Sequence, residues 1–290
     1  HSQWDKINEV EIEEVLLRGT GRYLEIENFI RRGINLILDA GFHIEKPHLL
    51  DNRYGRLVRN LRDQSRFVEA EIVARNALLK AIEKGGKLSA RVAGLVRDLA
   101  NNLRHLGRYD DAKALLIVAV DIFEESGIPF DSFSLMATRF SLGMTLIAQE
   151  DWQGALKAFE MARRGNENTY DKKWGGRPYQ ALAILRTGKT TEAVAKLSKI
   201  YDQSVKRLGA KHDRTATREM ILAVALASEG KKEEALIHFG KATPIVTSRS
   251  RQSNEESASD GENFRRLQIV MEPYIALLAD IRGSDLESKL

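Results

Sequence analysis

"GKTTEAVAKL" occupies residues 188–197, and Gly188-Lys189-Thr190 is spelled like the end of a nucleotide-binding P-loop. A P-loop also needs a first glycine five positions earlier and a buried strand before it, because the backbone N–H groups of the glycine-rich turn wrap the phosphate. The position of that first glycine holds Ala183, and the preceding "YQALAILR" (179–186) reads as helix. The string recurs along the chain instead. "GRYDDAKALL" (107–116), "EDWQGALKAF" (150–159) and "GKKEEALIHF" (230–239) share its pattern, and "SRFVEAEIVA" (65–74) and "GRYLEIENFI" (21–30) are weaker copies. Each copy opens on a turn residue and continues as a helix with a small or apolar residue facing inward. Those residues are Ile26, Ala70, Ala112, Ala155, Ala193 and Ala235, with successive separations of 44, 42, 43, 38 and 42 positions. Seven residues later stand Gly33, Ala77, Ala119, Ala162, Ile200 and Ala242, two helical turns on and facing the same neighbour. Small residues there let two helices approach closely.

Another apolar helix precedes each turn. "LVRDLANNLRHL" (95–106) sets Leu95, Leu99, Leu103 and Leu106 on one stripe, "FSLGMTLIAQ" (140–149) carries Leu142, Gly143 and Leu146, and "EMILAVALAS" (219–228) carries Leu222, Ala223 and Leu226. Two antiparallel helices joined by a tight turn, repeated at about 42 residues, stack into an α-solenoid.

The repeat resembles the tetratricopeptide repeat (TPR), in the longer form of kinesin-light-chain-type arrays. The unit with Leu142-Gly143, Trp152, Ala155, Phe159 and Ala162 matches best. Leu99-Ala100, Gly107, Tyr109, Ala112 and Ala119 form a second match, and Leu222-Ala223, Gly230, Ala235, Phe239, Ala242 and Pro244 a third. Lys232 and Thr190 replace the turn aromatic, and Ile26 and Gly33, where most other units have alanine, set the first unit apart. The resemblance covers roughly residues 8–246. It implies an all-α, right-handed TPR superhelix of about six helix pairs over residues 1–246, whose first helices line a concave, partner-binding face.

After Pro244 the composition changes. "TSRSRQSNEESASDGEN" (247–263) has no apolar residue but Ala258 and reads as a flexible polar linker or loop. Residues 264–290 resume an apolar helical pattern, expected to kink or break at Pro273, to end at Gly283 and to cap the last repeat. "RRLQIVMEPYIALLADIRGSDLE" is similar to the helix that follows the repeats in bacterial TPR proteins coupled to a CHAT domain, a caspase-like protease domain. That resemblance implies a downstream protease-like domain in the parent. The opening His1-Ser2, without methionine, reads as a tag scar on an internal fragment.

Composition narrows the chemistry. The chain of 290 residues has no cysteine, which removes thiolate metal sites, disulfides and a cysteine nucleophile. No apolar run reaches the length of a membrane span, and the expected location is the cytoplasm without membrane association. His43 and His48 in "GFHIEKPHLL" are a weak metal signal, His238 reads as a surface residue, and Asp213 as a helix cap. Neither a nucleophile elbow nor a cofactor motif is present, so the expectation is a non-enzymatic module without cofactor or metal.

The net charge of +4 is uneven. Residues 1–50 hold 6 Lys/Arg against 9 Asp/Glu, and residues 51–110 hold 13 against 7. With Leu57, Val58 and Leu61 committed to packing, Arg59 and Arg62 are left open; with Leu95, Leu99, Ala100 and Leu103 packed, Arg97, Asn101, Arg104 and His105 are left. Phe140, Met144 and Ile147 occupy similar places on the next unit. The expectation is a groove, basic in its N-terminal half and apolar at its centre, for a protein or peptide segment acidic at one end. The arginines have a second reading, as solvated or paired with Asp63 and Asp98. A free-standing scaffold or peptide sensor is the alternative to a regulatory part of a TPR–CHAT parent, and nucleic-acid binding through 51–110 is a third reading.

Overall fold

The computed structural model describes residues 2–17, 22–175, 177–256 and 261–287. Among them every regular element is a helix. The chain divides into two compact units, residues 1–141 and 142–290.

In the first unit, α1 (Gln3–Leu17) packs on α2 (Tyr23–Asp39), and a short α3 (Phe42–Glu45) leads into α4 (Pro47–Asp63) and α5 (Phe67–Gly85). The pair α6 (Ala90–His105) and α7 (Tyr109–Glu125) follows, then α8 (Phe133–Ala148), within which the division falls. One core of this unit gathers Ala77, Ala81, Val92, Leu95, Val96, Ala119, Phe123 and Leu135 from α5 to α8.

The second unit contains α9 (Trp152–Gly165), a short α10 (Glu167–Trp174), the pair α11 (Tyr179–Arg186) and α12 (Thr190–Leu208), the pair α13 (Asp213–Ser228) and α14 (Lys232–Glu256), and α15 (Gly261–Glu287).

All six residues expected to face inward on the second helices are buried: Ile26 at 7% exposure and Ala70, Ala112, Ala155, Ala193 and Ala235 at 0%. Seven residues on, Gly33, Ala77, Ala119, Ala162, Ile200 and Ala242 are buried as well. The corners share one conformation. Ser65, Gly107, Glu150, Gly188 and Gly230 all have φ between 60° and 88°. In each, the next residue's N–H reaches back five positions to close a Schellman cap: Arg66 to the carbonyl of Leu61, Arg108 to Leu103, Asp151 to Leu146, Lys189 to Ile184 and Lys231 to Leu226. The opening string is therefore a helix C-cap. The Lys189 N–H, which a P-loop would turn to phosphate, is spent on a carbonyl at 3.2 Å. Gly21, the corner of the first pair, lies outside the described residues.

The tail departs from expectation in three ways. Helix α14 runs through Pro244 to Glu256, and α15 begins at Gly261, so most of the stretch expected as a loop (247–263) is helical; residues 257–260 lie outside the described residues. Arg, Gln and Glu propagate a helix that is already nucleated, even with no apolar face to bury. Helix α15 is continuous through Pro273 and passes Gly283. A proline inside a helix costs about 3 kcal/mol, but Ile269 and Val270 before it and Leu277 after it are buried at 7%, 4% and 7% exposure. At about 1.5–3 kcal/mol each, that burial holds both sides of the proline in one line. Tyr274 stacks on Phe239 of α14 at 4.4 Å, Lys232 pairs with Asp280 at 2.5 Å, and Arg265 donates to the carbonyl of Ala148 at 3.2 Å.

Candidate functional site

In the first unit an open cleft of about 180 Å³ lies between α4 and α6. Two helix-interior glycines make room for it. Gly94 has no atom within 4 Å of where a Cβ would stand, and a Cβ at Gly55 would come within 2.9 Å of Asp98 Oδ2. Leu95 and Phe123 form its apolar floor; Asp51, Arg59, Arg91, Arg97 and Asp98 are its charged walls, with Asn52 and Ser134 beside them. Three guanidiniums against two carboxylates leave one net positive charge.

Asp98 is the hub. Arg59 reaches from α4 to its Oδ2 at 3.1 Å while staying 45% exposed, and Arg97 lies 3.5 Å from Oδ1. At the other end Arg91 stands 3.0 Å from Asp51. Burial pushes the Asp51 carboxyl above its ordinary range, opposed by the nearby charges of Arg91, Lys84 and His48. A further arginine lies behind: Arg62 has its pKa lowered first by burial and also by the positive charges of Arg104 and Arg59, against Asp98 and Asp63. Its Nη1 is buried with no hydrogen-bond partner.

The structure sorts the groove residues expected from sequence. Arg59 and Arg97 line the cleft; Arg59 pairs with Asp98 across from α4, and Arg97 lies against the same carboxylate from the preceding position of α6. Asn101 is partly buried one turn beyond Arg97. Arg104 is buried at 8% exposure and so is not on an open face, and His105 stacks on Phe67 at 5.2 Å in the packing between α5 and α6. Phe140, Met144 and Ile147, expected as a dry surface, are core residues at 8%, 5% and 3% exposure. A helix with three or four apolar residues per two turns has no spare apolar face, and all three go inward. Asp51, Asn52 and Arg91 were missed; Arg91 stands one turn before Leu95 and shares a face with Gly94 and Arg97, which the helical spacing could have shown.

The surplus of basic residues over 51–110 is largely absorbed by ion pairs. Arg53 and Arg56 hold Glu11 and Glu14, Arg66 holds Glu27 and Glu69, and Arg108 holds Glu71 and Asp111. A face of phosphate-ready arginines, as nucleic acid requires, does not result from those residues.

The histidines also find structural partners. The N-cap of α13 is His212, whose Nδ1 accepts from the Arg214 N–H at 3.1 Å, in place of Asp213. His238 is not a free surface residue: its Nδ1 lies 3.0 Å from the buried Glu219, which also accepts from Tyr201 at 3.2 Å. His43 lies on α3 and His48 on α4. No group of three or more His, Asp or Glu side chains suited to a metal occurs among the described residues. Among them, too, no helix is long and apolar enough to cross a membrane.

A tetratricopeptide-repeat family model matches residues 92–126, which span α6 and α7. No curated protein sequence matches the chain. Solved structures similar to it are helical repeat proteins. RapI in its apo form has a TM-score of 0.60 at 16% identity, over 87% of this chain and 86% of that one. BtubC (BKLC) from P. vanneervenii has 0.57 at 15%, over 79% and 92%. The Rap conjugation gene regulator of plasmid pLS20, solved with the Phr peptide, has 0.52 at 12%, over 97% and 84%. At these identities the likeness concerns the fold, which is an all-α solenoid of the TPR kind.

Proposed function

We propose that the protein is a non-enzymatic interaction module whose α4–α6 cleft holds an acidic side chain of a protein or peptide partner. The observation that carries this reading is Asp98. Its carboxylate sits between Arg59 and Arg97 as an internal stand-in for a ligand carboxylate, while Arg59 keeps nearly half its surface in water. A partner carboxylate entering beside Asp98 gains forked, charge-assisted hydrogen bonds from the same guanidiniums. The pLS20 regulator, with this fold, is seen with a peptide bound, which supports a peptide-sized partner here. The burial of Phe140, Met144 and Ile147 removes the apolar half of the groove from this reading.

Regulation of a downstream caspase-like domain is a finer proposal. It rests on the resemblance of the α15 segment alone, and a free-standing scaffold uses the same cleft.

The test is fluorescence anisotropy with a labelled Glu-rich peptide and its Gln-substituted control. Arg59→Gln and Arg97→Gln weaken binding of the acidic peptide and flatten its salt dependence. Asp98→Asn strengthens it, because the internal competitor is gone. Equal binding of both peptides, or no response to all three substitutions, refutes the assignment.

A further inference from the structure

The corner between α12 and α13, in the second unit, gathers positive charge without matching acid. Residues 205–218 hold Lys206, Arg207, Lys211, Arg214 and Arg218 against Asp213 alone. Three of these are brought together by helical spacing and one polar anchor. Arg214 and Arg218 are one turn apart on the same face of α13, and Arg207 lies one turn after Ser204 on α12. Arg218 Nη1 donates to Ser204 Oγ at 2.5 Å, and Ser204 Oγ lies 3.0 Å from Thr215 Oγ1. Ser204 and Thr215 are buried at 2% and 0% exposure, so the Arg218 guanidinium is fixed from below.

The nearest carboxylates are engaged elsewhere. Glu219 is held by Tyr201 and His238, and Asp213, at the start of α13 beside the His212 ring, is in no ion pair with these arginines. Among the described residues no acid pairs with Arg207, Arg214 or Arg218, in contrast to Arg53, Arg56, Arg66 and Arg108 of the first unit. The Arg218 pKa is lowered first by burial and then by the positive charges of Arg207 and Arg214, with Tyr179 opposing and Arg177 adding a smaller share. Like charges at i and i+4 on a helix destabilise it by a few tenths of a kcal/mol, and an anion that neutralises them stabilises the folded chain by mass action.

We propose that Arg207, Arg214 and Arg218 form a receptor for a phosphoryl dianion. Three guanidinium forks match the several oxygens and double charge of a phosphate monoester better than a single carboxylate. The group could be free phosphate or a phosphorylated side chain, and the two are separated by the probes below. The site does not depend on the α4–α6 cleft.

The experiment measures thermal unfolding and isothermal titration of the full chain with inorganic phosphate and with a short phosphoserine peptide. Sodium chloride and acetate at matched ionic strength are the controls. Phosphate is expected to raise the melting temperature beyond both controls. The gain shrinks as pH falls below about 6, where the dianion takes up its second proton. The double variant Arg207→Gln/Arg214→Gln, which leaves Arg218 on Ser204, weakens binding by about tenfold or more. Tighter binding of the phosphoserine peptide than of inorganic phosphate identifies a modified side chain as the source; equal or weaker binding identifies free phosphate. An equal rise with chloride, or an undiminished response in the double variant, overturns the proposal.

Discussion

Gly143 on α8 and Phe159 on α9 set two known effects against each other. A Cβ at position 143 would stand 2.5 Å from Phe159 Cε1, 2.6 Å from Cδ1 and 3.0 Å from Cζ. Carbon atoms rest at about 3.5–4.0 Å, so the ring or the helix must move by roughly 1 Å. Phe159 is at 0% exposure, and a close-packed interior leaves it nowhere to go. Overpacking of this kind costs about 1–3 kcal/mol. Alanine gains about 1 kcal/mol over glycine in a helix interior, so Gly143→Ala should lose about 0–2 kcal/mol net. Gly94→Ala on α6 is the control, since no atom lies within 4 Å of its Cβ; it should gain most of the 1 kcal/mol of propensity. Equilibrium urea unfolding followed by circular dichroism at several wavelengths reads both variants and reveals stepwise melting, to which repeat arrays are prone. In a Phe159→Leu background the Gly143→Ala penalty should fall, which a double-mutant cycle isolates. Stabilisation by Gly143→Ala equal to that by Gly94→Ala would refute the close approach of α8 and α9.

Three further outcomes are expected. Ser65→Gly removes a side chain from a left-handed corner at φ 60° and should stabilise by about 0.5–1 kcal/mol, whereas Gly188→Ala, at φ 88°, should destabilise by about 1 kcal/mol; paired urea curves measure both. Glu14→Ala removes the 2.9 Å partner of the buried Arg53, which packs over Gly33, and leaves it the longer contacts to Glu11 and the Ile7 carbonyl at 3.5 Å, so a loss of about 3 kcal/mol should appear in the unfolding of the first unit. Glu27 is buried, which alone would raise its pKa, but hydrogen bonds from Gln64 and Arg31 and the charge of Arg66 hold it below the ordinary range. A lowered carboxylate pKa contributes stability above the unfolded value of about 4.3, and that contribution is lost as pH falls through the folded value. Glu27→Gln should therefore be less stable than the parent at pH 7, and the two acid-unfolding curves should converge as pH falls below about 4.

The repeat was legible because it is written in local spacing. Inward residues seven apart and a turn residue five positions before the first of them recur whatever surrounds them, and the structure buries all the inward residues. Arg59 and Arg97 were legible as candidates because helical periodicity separates them from Leu57, Leu61, Leu95 and Leu99. The same spacing misplaced Phe140, Met144 and Ile147, since it says which residues share a face but not whether another helix covers it. It also misjudged the tail. A stretch without apolar residues reads as a loop, yet α14 extends through it from a nucleus formed by Ala235, Phe239 and Ala242.

From the sequence alone come the helix pairs, their corners and their inward residues, because backbone propensity and hydrophobic periodicity act within a few turns of chain. Tertiary structure decided the charges. Whether an arginine is a ligand group or a strut depends on which carboxylate the fold brings to it from some 40 residues away. The fold turned Arg53 and Arg66 into buried or bridged pairs, brought Arg59 to Asp98 beside Arg97, and brought no carboxylate of the described residues into an ion pair with Arg207, Arg214 or Arg218.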